Sequence, residues 1–551
     1  MNAPLPIPAI WTTGSTASIK TGTWRAALAR HIQAPSPCHA ACPVGGEIAQ
    51  WIGHARASNF RAAWETLTRH NPFPAIAGRI CHHPCESACN RSGFDEALAI
   101  CKLERFIGDQ ALEQGWSYPA ADRQRSQRIA VVGGGPAGLS AAFQLRRRGY
   151  RVTLIEAQAE LGGLMRYGIP PYRLARDVLD GEIDRILALG IDVRCGQALA
   201  GAEDFARLRA EHDAVYLALG AQRPKRLPQL DYQRHWVLDG ADYLARCSRG
   251  RAPPMGRCVV VIGGGSAALD AARSARRAGH EVTILALEAE EHMPAQPEEV
   301  IEAREEGITL LNSTMLRGGN ETDDGACVHL DCVRVQFERG TQHGQFKVTP
   351  IAGSEFALMA DAIISSIGQD PELAPFAALE VLRDALLKID SCGATSAAGV
   401  WAGGDLASMA RFVTEAIGMG ERAALAIDRR FAGNDAPPLA EEALVALDDI
   451  NLHYHPMAVR PVERRLPAAA RQAHSGEVQL GLAIEQALAE TARCFSCGTC
   501  THCDNCITYC PDVAVQHAGA GYAVLTDYCK GCGLCVKECP TGSMKMQEEL
   551  R

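Results

Sequence analysis

The sequence predicts a multidomain chain: a helical N-terminal domain, two α/β units, and a small α+β module at the C-terminus. Three observations predict it. The chain has 551 residues, too many for one hydrophobic core, and about 100 to 200 residues per domain suggests three or four units. A strand, a Gly-rich turn, a helix and a second strand occur in that order twice. Sixteen of the 22 cysteines crowd into two stretches, Cys38 to Cys101 and Cys494 to Cys539.

Composition narrows the class. With 47% hydrophobic and 22% charged residues the chain is globular, and no apolar run approaches the ~20 residues of a spanning helix. A net charge of -9 without a dense Lys/Arg stripe argues against nucleic acid. The N-terminus is Pro-rich and lacks the basic-then-apolar layout of a secretory signal, so the cytoplasm is the expected compartment and no membrane partner is expected. Disulfides are rare there, and clustered thiols point to metal or redox chemistry. The scattered Cys195, Cys247, Cys258, Cys327, Cys332 and Cys392 read as buried small hydrophobes.

Residues 1–126 carry helical patterns, Glu47 to His54 and Asn59 to Arg69, between Pro and Cys clusters. The first α/β unit starts at 127 with the apolar run Ile129 to Val132, a Gly-rich turn, a helix through Arg148 and a strand Val152 to Ile155. Its counterpart has strands at Val259 to Ile262 and Val282 to Leu285, with a helix to Arg277 between them. Residues 440–493 read as a connector with helical stretches and Pro breaks, and 494–551 as the cysteine-dense module.

Each turn has the pattern of a dinucleotide site. In Gly133, Gly135, Pro136, Ala137 and Gly138 the first Gly permits the turn, the second lets backbone approach a pyrophosphate and the third lets helix pack on strand, while Glu156 ends the next strand as a ribose acceptor. Gly263, Gly265, Ser266, Ala267 and Ala268 repeat the pattern, with Ala an allowed third residue. Two such sites in one chain suggest a flavin dinucleotide facing a nicotinamide dinucleotide.

The stretch Glu160-Leu161-Gly162-Gly163-Leu164-Met165-Arg166-Tyr167-Gly168-Ile169-Pro170, then Trp401 to Asp405 and Glu415 to Gly420, resembles the small subunit of glutamate synthase and the N-terminal half of dihydropyrimidine dehydrogenase. The resemblance covers about residues 35 to 435. It implies two Rossmann-like domains, an NAD(H) domain at 256–370 inserted into an FAD domain at 127–255 and 371–439, with Gly368 at the return. It also implies that Gly133 to Gly138, Glu156, Gly163, Leu164, Arg166, Gly404, Asp405 and Thr414 hold FAD. NADPH-using members typically carry paired arginines just after the second strand of the nicotinamide unit. Here Leu287 and Glu288 stand there, and an acidic side chain accepts from a ribose hydroxyl but repels a phosphate, so NAD(H) is expected over NADP(H).

No cysteine pair fits a disulfide relay beside the flavin: Cys327 and Cys332 lie on an alternating run that points them to opposite faces. The C-terminus supplies an outlet. Cys500, Cys503, Cys506 and Cys510-Pro511, then Cys529, Cys532, Cys535 and Cys539-Pro540, have the spacing of a bacterial two-cluster ferredoxin, in which the fourth cysteine of each run serves the other cluster. Zinc is the competing reading of such thiols. Cys494 and Cys497 are then surplus, while the N-terminal Cys38, Cys42, Cys81, Cys85 and Cys89 lack the early Cys-x-x-Cys pair of related proteins. We expect the displaced pair to complete one N-terminal cluster with Cys38 and Cys89. By the family's pattern the second would use Cys42, Cys81, Cys85 and Glu104, with nearby Cys101 the alternative to Glu104. The competing reading leaves Cys494 and Cys497 unliganded, and the sequence allows their return within one chain or across a homodimer. His82 and His83 are expected to be polar neighbours or to hydrogen-bond cluster sulfur.

Four [4Fe-4S] clusters, FAD and NAD(H) imply an electron-transfer subunit that needs no catalytic side chain of its own. The expected partner is a catalytic oxidoreductase subunit of a larger complex, for example one oxidising a 2-oxoacid or aldehyde. A glutamate synthase small subunit with an appended carrier and a self-contained NADH:ferredoxin oxidoreductase are the alternatives.

Overall fold

The computed structural model describes residues 20–322, 327–340, 345–382, 385–433, 443–472 and 476–549. The expected boundary at 439/440 lies outside them. In the N-terminal domain short helices begin where a cap or a proline favours them. Ser36 accepts from His39 N–H at the start of Pro37–Ala41, and Asn59 accepts from Ala62 N–H at the start of Phe60–Leu67. Helices Ile48–Arg56, Pro74–Ile80 and Ile100–Glu113 close a core around Trp51, Trp64, Phe73, Ile76 and Ile107. Fully buried Glu182, from the first α/β unit, accepts from Ala75 N–H and Ile76 N–H at 3.0 Å each and so caps Pro74–Ile80 across the domain border.

The first α/β unit is a parallel five-stranded sheet in the order Val400–Ala402, Ala214–Leu217, Arg128–Val132, Arg151–Ile155, Asp192–Arg194. The second is also parallel, in the order Thr309–Leu311, Glu281–Leu285, Cys258–Ile262, Ala362–Ser365, Val237–Asp239. The chain leaves the first sheet through Arg223–Pro224 and returns through Gln369–Asp370, and these two crossings pair antiparallel. Val237–Asp239 corrects the expected border at 255/256. This strand and the helix Gly240–Ser248 belong to the second unit, where Tyr243 and Leu244 join its core. The border was misplaced because an edge strand of three residues has too little hydrophobic pattern to be read.

The tail is fastened to the head. Ala27–His31 pairs antiparallel with Met544–Glu548, so the N-terminal domain is not wholly helical. Arg25 holds Glu549 through Nε at 2.7 Å, and Ile32 N–H donates to Ser543 O at 2.9 Å. Residues of the connector contribute a buried charge network. Arg493 binds Glu490 at 2.8 Å and Asp95 at 3.0 Å, while Asp95 also receives Arg91 at 2.6 Å and is held well below the usual carboxylate range. The network fixes the residue that precedes Cys494.

The scattered cysteines need a correction as well. Only Cys332 is buried, and Cys195 is exposed because it follows the edge strand Asp192–Arg194. No helix among the described residues is long and apolar enough to cross a membrane.

Candidate functional site

The first Gly-rich turn joins strand Arg128–Val132 to helix Pro136–Arg147. Gly133 has φ 109°, a conformation that a side chain would strain. Gly134 N–H donates to Glu156 Oε2 at 2.7 Å, and Gln158 N–H donates to Glu156 Oε1 at 2.7 Å, which sets the carboxylate beside the turn. Gly163 packs on Gly135, bringing Leu164 and the following helix Leu164–Tyr167 over the turn. Arg166 Nε donates to Leu161 O at 2.6 Å and its other end pairs with Asp180. Its guanidinium therefore holds this loop in place. Gly404 and Asp405 form a short turn, and Thr414 opens the helix Val413–Phe431, which packs on Pro136–Arg147. These residues fit a dinucleotide: a Cβ at Gly135 would meet only Gly163 Cα, at 3.9 Å, an acceptor stands at Glu156 and a helix N-terminus faces the turn. A Cβ at Gly138 would overlap Gly133 O. Gly138→Ala is therefore expected to cost at least tenfold in retained flavin, read from the absorbance of the purified chain.

The second turn repeats this geometry. Gly263 has φ 137°, Ala268 is fully buried under it, and nothing lies within 4 Å of a Cβ at Gly265. A Cβ at Gly264 would stand 2.6 Å from Glu288 Oε2, as one at Gly134 would stand 3.1 Å from Glu156 Oε2. The two acidic side chains thus occupy equivalent places beside equivalent turns. Burial raises the Glu288 carboxyl above its usual value, and Arg339 opposes this. Ser266 and Ala267 begin the helix Ser266–Arg277, while Gly368 lies in the crossing, where its carbonyl accepts from Lys225 N–H at 3.0 Å.

The cysteines converge in four groups. Cys38, Cys89, Cys494 and Cys497 line one cavity with about 370 Å³ of atom-free space, part of it open to solvent. Burial, with repulsion from Cys494 and Cys89, pushes the Cys38 thiol up to about 12. Beside it, Cys42, Cys81, Cys85 and Glu104 form a second group, in which burial and then Glu104 push Cys81 up to about 12. The Glu104 carboxyl, raised to about 7 by burial, is held by Asn71 Nδ2 at 2.7 Å. Cys101 instead turns its thiol to Gly78 O at 3.4 Å and Ala77 O at 3.7 Å.

In the tail, Cys500, Cys503, Cys506 and Cys539 form the third group, where burial and the neighbouring thiols push Cys506 up to about 12. Cys510, Cys529, Cys532 and Cys535 line a further cavity and form the fourth. Thiolates so placed would repel one another in a poorly solvated setting, and iron, when bound, would compensate both costs. Among the described residues no three His, Cys, Asp or Glu side chains close on a single-ion position.

Several contacts were not legible beforehand. Asn90 Nδ2 donates to Cys497 Sγ at 3.5 Å and to Val445 O at 2.9 Å, and Ser36 Oγ lies 3.1 Å from Cys38 Sγ. Both flank cysteines in sequence, which was the available signal. Asn71 had none. His83 reaches sulfur through its backbone, donating to Cys81 Sγ at 3.2 Å, while the His82 ring stacks 4.1 Å from Phe412.

Comparison with known proteins agrees with this organisation. The model of pyridine nucleotide-disulphide oxidoreductases matches residues 127–420, that of dihydropyrimidine dehydrogenase domain II with its 4Fe-4S cluster matches 25–116, and a 4Fe-4S binding domain matches 522–545. The beta subunit of NADP(+)-dependent formate dehydrogenase of Moorella thermoacetica is 32% identical over 502 residues, 84% of this chain and 70% of that one. The small chain of NADPH glutamate synthase of Mycobacterium tuberculosis is 32% identical over 442 residues, 73% of this chain and 87% of that one. The PreT subunit of NAD-dependent dihydropyrimidine dehydrogenase of Escherichia coli is 31% identical over 402 residues, 72% and 92%. With its two dinucleotide turns, its helical iron–sulfur head and its 4Fe-4S tail, the chain belongs to the pyridine nucleotide-disulphide oxidoreductases, among the iron–sulfur flavoprotein subunits related to glutamate synthase small chains.

Proposed function

We propose that this chain is the electron-entry subunit of a larger oxidoreductase, exchanging electrons between NAD(H) and a separate catalytic subunit through FAD and four [4Fe-4S] clusters. The observation that carries this reading is the unbroken adjacency of the sites. Cys81 Sγ donates to Thr414 Oγ1 at 3.6 Å, which joins the second cysteine group to the first dinucleotide site. Cys38 and Cys42 on one segment, and Cys85 and Cys89 on another, tie that group to the one completed by Cys494 and Cys497. The short link from Cys497 to Cys500 leads to the third group, and Cys506 to Cys510 with Cys535 to Cys539 lead to the fourth.

FAD, when bound, takes a hydride from a nicotinamide and yields its two electrons singly, and the clusters carry them one at a time. The residues bind and tune. Glu156 and Glu288 would accept from riboses, and the glycine backbones at Gly135 and Gly265 would let pyrophosphates approach. Backbone N–H groups of His83, Ser496, Ala514 and Ser543 donate to Cys81, Cys494, Cys510 and Cys539 at 3.2 to 3.4 Å, which stabilises thiolate and shifts reduction potential. The relatives' names attach this kind of head to formate, pyrimidine and glutamate chemistry, which supports a separate partner as the site of the substrate reaction.

Isolation from native cells, followed by NADH addition, tests the reading. The expected chain carries roughly 16 iron atoms, is bleached by NADH and comes with a second redox subunit; one that NADH does not bleach is not an entry subunit. Glu104→Ala is expected to lose about four of those irons, and Cys101→Ser none. The reverse result would give the eighth head ligand to Cys101.

A further inference from the structure

Residues 464–472 and 476–480 of the connector run as the two arms of a hairpin. Leu466 N–H donates to Val478 O and Leu480 N–H to Arg464 O, at 2.9 Å each, with Arg465 opposite Gln479. The hairpin binds three parts of the molecule at once. From the N-terminal domain, Arg79 reaches Glu477 at 2.6 Å, Arg105 reaches it at 2.8 Å, and Lys102 donates to Gln479 at 2.8 Å. From the first α/β unit, Tyr172 O accepts from Val478 N–H at 2.9 Å, and Ala175 N–H donates to Glu477 at 3.1 Å. On the second unit, Arg471 pairs with Glu305 at 2.7 Å and lies 3.6 Å from Glu306, Arg277 donates to Arg471 O, and Gln479 Nε2 donates to Glu302 at 3.3 Å.

The first unit grips the same face of the second directly. Arg173 pairs with Asp270 at 2.6 Å and with Glu299, and Tyr172 Oη donates to Asp270 O at 3.2 Å. The guanidinium carbons of Arg277 and Arg273 lie 4.2 and 4.8 Å from the centre of the Tyr172 ring. Arg273 closes the network on Glu302 at 2.8 Å and on Glu306 at 2.7 Å. Arg173, Arg273, Arg277 and Arg471 thus face Asp270, Glu299, Glu302 and Glu306, and Asp270, Arg273, Glu302, Glu306 and Arg471 are buried. Taken alone, the two crossings between the units, Arg223–Pro224 and Gln369–Asp370, share a pairing only two residues long and leave a rotation open.

We propose that the connector hairpin is a clamp that holds the second unit in one orientation against the first, with Arg471 and Arg173 as positioning residues for hydride transfer. The inference rests on the proposed function and deepens it by naming what sets its geometry. Desolvation offsets much of the attraction in a buried ion pair, yet each pair is satisfied in one arrangement only, so the network specifies orientation more than it stabilises. Arg471 acts through the helix Pro297–Glu305. Arg173 acts through Asp270, one turn into the helix that opens at Ser266 beside the second Gly-rich turn. One hydride, with its electron pair, leaves NADH as NAD+ and passes to the flavin. The reacting atoms must come within about 3 to 3.5 Å, and a displacement of about 1 Å costs roughly a hundredfold in rate.

The test uses the full chain with its flavin and iron. Small-angle scattering of the wild type is expected to give superimposable profiles with and without NAD+, and Arg471→Met is expected to enlarge the radius of gyration. Arg471→Met strands no buried charge, since Glu305 is 36% exposed and Glu306 keeps Arg273 and Arg277. In rapid mixing, Arg471→Met and Arg173→Met are expected to slow flavin bleaching at saturating NADH at least tenfold, with the half-saturating NADH concentration within twofold of the wild type. Arg471→Lys should restore most of the rate. Arg257→Met, which breaks the exposed pair with Glu281 inside the second unit, should change neither quantity. A wild-type profile that shifts on adding NAD+ overturns the clamp, and this measurement decides alone if a variant loses its flavin. A flavin-loaded Arg471→Met that bleaches at the wild-type rate also overturns it, as does a rise in half-saturation with no loss of saturating rate. A wild type bleached by neither NADH nor NADPH overturns the entry-subunit reading instead.

Discussion

Changing Cys494 and Cys497 together to serine is expected to remove about four irons per chain and to slow NADH-driven reduction of the tail at least a hundredfold, with flavin reduction preserved. Two surplus cysteines in the tail match a deficit in the head, and both meet in one cavity. Cys494 and Cys497 line it with Cys38 and Cys89, from the same chain, although the two pairs lie at opposite ends of the sequence. Burial and the other three thiols drive Cys497 well above its usual value, so without a metal this site would hold neutral thiols against one another. Serine is a poor ligand for iron in such a place, and two losses from four leave too few thiolates for a cluster. Iron analysis and the spectrum of the NADH-reduced protein read the two effects separately. Unchanged iron would mean that the pair is structural. Normal iron loss with rapid reduction of the tail would mean that electrons bypass this site.

The chemistry was legible and the fastening was not. Both turns were readable because a pyrophosphate site constrains several residues within one short segment. The ferredoxin runs were readable because each cluster fixes a spacing. Even Cys494 and Cys497 announced themselves, since ligands must come in sets. The contacts that hold the tail follow no such local rule. Ala27–His31 has one large apolar residue and no alternation, and it is a strand only because Met544–Glu548 pairs with it. Nothing in the local sequence marks Arg91, Asp95, Glu490 and Arg493 for burial, yet each is buried or nearly so because two distant segments meet there. The border near Val237 failed for the same reason. Pairing across long separations is set by tertiary packing, which no short window of sequence contains.

That distinction bears on Glu288, which a local reading singles out and the fold places beside the second turn. The wild-type chain is expected to use NADH at least tenfold better than NADPH in kcat/KM, Glu288→Gln to narrow the gap and Glu288→Arg to invert it. The carboxylate stands beside Gly264 as Glu156 stands beside Gly134, so a bound ribose would present its hydroxyls to an acceptor in both units. A hydrogen bond to a charged group contributes about 1.5 to 3 kcal/mol, which is roughly ten- to a hundredfold in affinity. A 2′-phosphate would place like charges together in a half-buried site, and the cost would be of similar size. Arg339 is the opposing influence, since its charge is felt at Glu288 while its guanidinium is also engaged with His292 O. If Glu288 decides, Arg339→Ala should leave the NADH preference intact. If the wild type prefers NADPH and Arg339→Ala abolishes that preference, Arg339 is the phosphate partner and Glu288 is a bystander. The relatives do not share one nicotinamide, since NADP(+)-, NADPH- and NAD-dependent subunits all align with this chain. Across these three variants, kcat/KM for both cofactors measures what Glu288 and Arg339 each contribute to the preference.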